Sequence, residues 1–80
     1  MPGTMTAREV VRRIEELGGY RLRTRGSHAM FEAVLRDERG EPVVTARAVV
    51  PMHTGDVAPG TLRAIQRQLQ PVFGEGWLLV

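Results

Sequence analysis

Two imidazoles and a run of arginines are the side chains here best equipped to move protons and hold phosphate. His28 follows Gly26-Ser27 and comes just after Arg21, Arg23 and Arg25, which recur at every second position. A neutral imidazole is a general base and contributes typically about 10²–10⁴ in rate. Guanidinium groups hold phosphate oxygens in forked hydrogen bonds and stabilise charge that builds on a transferring phosphoryl group. A base beside guanidinium groups, with no cysteine and no carboxylate cluster, points to phosphodiester cleavage by an RNA's own 2′-hydroxyl. The plainer alternative is a surface histidine in a turn.

His53 lies in Pro51-Met52-His53-Thr54-Gly55. It is a candidate partner acid for the leaving oxygen or a substrate-positioning group, against the alternative of a solvated loop histidine. Further on, Pro59-Gly60-Thr61 opens an apolar-periodic stretch. Free N–H groups at such a helix start can receive a phosphate, with Gly60 permitting close approach; Asp56 nearby opposes it. A metal site built on His28 and Glu32 fails on spacing, because four residues of strand span about 13 Å. No metal and no cofactor are expected.

The remaining bounds are broad. Eighty residues make one domain, and a chain of this size buries only roughly 60% of its exposable surface, so its core is thin. The apolar share of 42% and charged share of 25% are those of a globular protein. No run approaches the ~20 apolar residues of a membrane span. Met1-Pro2-Gly3-Thr4-Met5 lacks a secretory layout, so a cytoplasmic location is expected. Net charge is only +2, and all eleven basic side chains are arginine, so a high isoelectric point reflects the base used and not a large excess of it. Placement of the arginines therefore matters more than their number.

The elements that must position these groups are legible in the patterning. Thr6-Ala7-Arg8-Glu9 has capping-box spacing, and Val10, Val11, Ile14 and Leu17 share a helical face, predicting a helix over about 6–17 that stops at Gly18-Gly19. From Tyr20 to Arg25 the chain alternates, with Tyr20, Leu22 and Thr24 on one side and the three arginines on the other. After His28 the set Ala29, Phe31, Ala33, Leu35 is uniformly apolar and the other set mixed. A polar turn over 37–42 leads to a third strand ending at Pro51, with Val44, Ala46, Ala48 and Val50 apolar. Residues 52–58 read as a loop, Pro59 as a first helical position, Leu62, Ile65 and Leu69 as a buried stripe, and Pro71 as the helix end. The fold class is α+β, in the order α-β-β-β-α: a three-stranded antiparallel sheet with two helices on one face. The open face would then carry Arg21, Arg23, Arg25, His28, Glu32 and Arg47, an electrostatic footprint for RNA set against the plainer reading of a solvated strand edge. Met30 on that face is a candidate contact for a base or a protein partner, against the plainer reading of an incidental exposed methionine. Tyr20, Phe31 and Trp77 form no stacking platform.

Gly26-Ser27-His28 followed by Phe31, with Val50-Pro51-Met52-His53 and then Gly60-Thr61-Leu62-Arg63-Ala64-Ile65, resembles the two signature blocks of HicA-type messenger-RNA interferase toxins. The similarity covers about 4–69 of the single domain 1–80, leaving 70–80 as a divergent apolar tail. The resemblance implies a double-stranded-RNA-binding-domain-like fold and a toxin endoribonuclease acting on mRNA. It places the catalytic histidine at His28. Together with the reading of the residues themselves, the expected site has Arg21, Arg23, Arg25, Arg47 and Ser27 toward RNA and Gly26, Gly60 and Thr61 at the turn and phosphate positions. It also implies neutralisation by a HicB-type antitoxin. The family's lysines around the second block are absent here. The tail is open to core packing, a homodimer contact or an antitoxin contact. The competing reading is a non-catalytic RNA-binding module of the same fold, which would grip duplex RNA across about 16 base pairs; the second helix offers it only Arg63 and Arg67. An adaptor that engages only protein comes third.

Overall fold

The computed structural model describes residues 4–79. Met1 to Gly3, part of the segment read for a secretory layout, and Val80 at the end of the tail lie outside them. Along the described residues run β1 (Met5–Thr6), α1 (Ala7–Glu16), β2 (Tyr20–Arg25), β3 (His28–Arg36), β4 (Pro42–Pro51), β5 (Asp56–Val57) and α2 (Pro59–Phe73). None of these helices is long and apolar enough to cross a membrane.

The capping box forms as its spacing dictates. Thr6 Oγ1 accepts the Glu9 N–H at 3.2 Å, and Glu9 Oε1 accepts the Thr6 N–H at 2.9 Å, a cap worth about 1 kcal/mol. The helix buries Ala7, Val10, Val11 and Ile14 and ends at Gly18, whose φ of 96° favours glycine. Gly19 is required for space instead: a Cβ there would lie 2.5 Å from Ile14 Cγ2 and 3.2 Å from Phe73 Cζ. The chain can therefore leave α1 tight against the core.

Strands β2, β3 and β4 form an antiparallel sheet in that order. Paired residues on neighbouring antiparallel strands share a face. One face holds the pairs Ala29–Val50, Phe31–Ala48 and Ala33–Ala46, all buried together with Leu62, Ile65 and Leu69 of α2 and the buried face of α1. Both helices therefore cover that face. The α-β-β-β-α order and α+β class read from the patterning stand.

Three features depart from the patterning. First, a bulge at Leu22 shifts the β2 register, so Arg21 pairs with Phe31 and Tyr20 with Glu32. Arg21 is thereby turned to the helix-side face, its guanidinium 5.4 Å from the Phe31 ring centroid, and Tyr20 moves to the open face. The expected row of three arginines is really two, because an extra residue in a strand reverses the alternation beyond it. Second, the segment read as a loop contains β5, which pairs with β1 through Met5–Val57 and Thr6–Asp56. Third, α2 runs past Pro71 to Phe73. Proline in a helix interior costs ~3 kcal/mol or more, but here it falls in the last turn. Phe73 packs edge-on against Trp77 with centroids 5.0 Å apart, and the Gly74 N–H closes on Gln70 O at 2.8 Å.

The tail packs on the core. Trp77 and Leu78 are buried; Trp77 Nε1–H donates to Gln66 O at 2.7 Å, and Arg13 Nε–H donates to Trp77 O at 2.8 Å. The Gln66 side-chain oxygen accepts from the backbone N–H groups of Leu78 and Leu79. Both helices are thus tied to the chain end.

Candidate active site

Three rows of side chains cross the open face of the sheet, each strand giving one residue per row. They are Arg25–His28–Pro51, Arg23–Met30–Val49 and Tyr20–Glu32–Arg47. Successive rows stand two residues apart along β3, about 7 Å.

His28 owes its place in the first row to a tight turn. Only Gly26 and Ser27 separate Arg25 from its partner His28. Gly26 has φ 57° while no non-glycine residue has positive φ, the pattern of a two-residue hairpin with glycine first. On the other side His28 pairs with Pro51, at a non-hydrogen-bonded position of the ladder where a proline is tolerated. The ladder bond that flanks this pair, from Met52 N–H to Ser27 O at 2.6 Å, pins the turn to the segment that carries His53. The β1–β5 pairing holds that segment's far end. Between these two anchors His53 turns back toward the sheet, and the His28 and His53 rings stand 6.1 Å apart, edge to face at 84°.

Both rings line one cleft of about 480 Å³, with Pro51, Asp56, Ala58 and Thr61 on its other walls. The α2 start opens on this cleft without a side-chain cap. Pro59 has no N–H and the Leu62 N–H closes on Ala58 O at 2.9 Å, so helix geometry leaves the Gly60 and Thr61 N–H groups without intrahelical acceptors. Gly60 is not needed for packing: a Cβ there would meet nothing nearer than the Arg63 side chain at 4.0 Å. Asp56 brings a carboxylate to the same cleft, which limits the anion affinity of that wall.

A smaller hollow of about 160 Å³ adjoins on the sheet, bordered by Arg23, Arg25, His28, Met30 and Val49. Arg47 stands apart from it, because its Nε donates to Glu32 Oε2 at 2.8 Å. The Tyr20 hydroxyl donates to the other oxygen of Glu32. Alternation alone missed this three-strand network, since it sets Tyr20 on the wrong face. Of the six open-face candidates, the structure brings Arg23, Arg25 and His28 together, pairs Arg47 with Glu32, and sends Arg21 to the opposite face. Ser27 contributes its carbonyl to the turn.

The network sets a pH window. The hydrogen bond from Tyr20, then that from Arg47, holds the Glu32 carboxyl below its ordinary 4.5. The same Tyr20–Glu32 bond raises the Tyr20 hydroxyl above 10.0. A lowered carboxyl stabilises the fold above its unfolded-state value and loses that contribution as pH falls through the lower folded one; the raised phenol loses its own as pH rises through the higher one. A carboxyl-detected NMR titration should find the Glu32 midpoint below 4.5 and moved upward in Tyr20→Phe. A wild-type midpoint at or above that value would rule the network out in solution.

Among the described residues no three His, Asp or Glu side chains gather to hold a metal ion. No curated protein sequence and no solved structure matches the chain. Residues 7–70, from the first residue of α1 to near the end of α2, match the family described as the HicA toxin of bacterial toxin–antitoxin systems. Both histidines and the α2 start lie inside that stretch, and the chain belongs to the HicA toxin family.

Proposed function

We propose that this protein is an endoribonuclease toxin that cleaves mRNA and other RNA without a metal, with His28 and His53 as its acid–base pair. The observation that carries the reading is the approach of the two rings to 6.1 Å in one cleft, where both can reach a single phosphodiester unit. One imidazole takes the 2′-hydroxyl proton as the 2′-oxygen bonds to phosphorus. The P–O5′ bond breaks, and the other imidazole gives its proton to the departing 5′-oxygen. The products are a 2′,3′-cyclic phosphate and a free 5′-hydroxyl. Arg25, beside His28 in the first row, and the Gly60 and Thr61 N–H groups are placed to receive the non-bridging oxygens, whose charge grows in the transition state.

A HicB-type antitoxin that covers the open face would block access to both imidazoles, which fits the toxin family to which the chain belongs. Purified protein with single-stranded RNA in excess EDTA tests the chemistry. Fragments ending in 2′,3′-cyclic phosphate and 5′-hydroxyl are expected, at a rate unchanged by the chelator. Loss of cleavage in EDTA, or 5′-phosphate ends, would exclude this mechanism.

A further inference from the structure

We infer that the hollow between Met30 and Val49 seats one unpaired nucleobase next to the scissile phosphate, with Arg23 and Arg25 holding the backbone at its rim. This rests on the ribonuclease reading above and adds to it a substrate subsite. The hollow is continuous with the catalytic cleft, because His28 and Val49 line both. Its floor is the second cross-strand row, about 7 Å from the His28 row, a step that one nucleotide of an extended strand spans.

The chemistry of the walls selects the occupant. Met30 and Val49 are apolar, yet they stand on the open face, and Val49 is 41% exposed. The rim carries two guanidinium groups and no carboxylate. A ligand matched to this surface has a flat, polarisable apolar body and an anionic link on either side, which describes a nucleotide within a chain. Thioether sulfur contacts aromatic rings favourably, and guanidinium planes stack on bases and pair with phosphate. A free phosphate would leave the floor unused, and an acidic peptide would lack the flat body.

A base in a duplex is stacked on both faces and cannot seat there without being pulled out. The subsite therefore restricts cleavage to unpaired RNA, although the fold is of the kind associated with duplex binding. Neither Met30 nor Val49 offers a strong side-chain donor or acceptor, so the floor reads the presence of a base more than its identity.

The test uses the full-length protein labelled at its methionine methyl groups and a short 2′-O-methyl RNA, which lacks the attacking hydroxyl. The Met30 methyl signal should move upfield on titration, from the ring current of the seated base. It should stay in place with the same oligomer made abasic, or with its duplex. A Met30 signal unmoved while the His28 ring signals shift would overturn the subsite. In the kinetic arm, cleavable RNA with one abasic nucleotide beside the cut should lose about tenfold or more in kcat/KM, and Met30→Ala should shrink that difference. Equal cleavage of intact and abasic RNA would also overturn it. Wild-type protein that cleaves no RNA, yet shows the Met30 shift, would retain the subsite and discard the ribonuclease reading.

Discussion

Replacing His28 with alanine is expected to lower RNA cleavage about 10²–10⁴-fold and to leave the fold intact. The side chain is exposed at the first position of β3, so its removal leaves no cavity. The turn that positions it is held by backbone groups, Gly26 with its positive φ and Ser27 O with the Met52 N–H, and these survive the substitution. Purified wild type and variant compared for cleavage rate, with circular dichroism to check folding, give the answer. In cells, induction of the wild type should arrest growth with fragmented RNA, while the variant should do neither. A variant that cleaves at the wild-type rate would remove His28 from the chemistry. Arrest by both proteins with RNA intact would move the harm from cleavage to binding.

How far this site could be read from sequence differs residue by residue, for physical reasons. The capping box at Thr6 and Glu9, the glycine stop and the apolar set at Ala29, Phe31 and Ala33 are local patterns, and local patterns are what hydrophobic period and spacing report. His28 was visible for the same reason, as a chemically able residue directly after a Gly-Ser turn. The bulge was not visible. Leu22 sits between two arginines in unbroken alternation, so nothing in composition marks it as the extra residue, yet it exchanges the faces that alternation assigns to Tyr20 and Arg21. β5 is two residues long and exists only through its pairing with β1, too short for any period to show. The approach of His53 to His28 depends on that pairing and on the bond from Met52 N–H to Ser27 O, both of them contacts between segments distant in sequence. Pro71 was misleading in the other direction, because contacts of Phe73 and Gly74 extend a helix that local propensity would end.

Phe31→Ala tests the other half of the same short segment, and its expected effect on stability is the largest of any single change. Phe31 is fully buried, three residues after the exposed His28 and on the opposite face of β3. Truncating a buried phenylalanine costs about 3–5 kcal/mol, from lost transfer energy and from the cavity left behind. Its neighbours on the same face of the sheet include Ala29, Ala33 and its β4 partner Ala48, which are too short to fill the gap from the sheet side. Whole domains are stable by only about 5–15 kcal/mol, and a chain this small has a thin core. The variant should therefore melt far below wild type, with its urea midpoint lowered by most of its value or its folded state lost outright. A midpoint within error of wild type would show that the core does not depend on this ring. The pair of variants also separates chemistry from folding. His28→Ala should keep the wild-type midpoint and lose cleavage, whereas Phe31→Ala should lose cleavage only in proportion to its folded fraction. Wild-type activity per folded molecule in Phe31→Ala would show that β3 divides its labour by face, with the proton transfer on one side and the packing that holds it on the other.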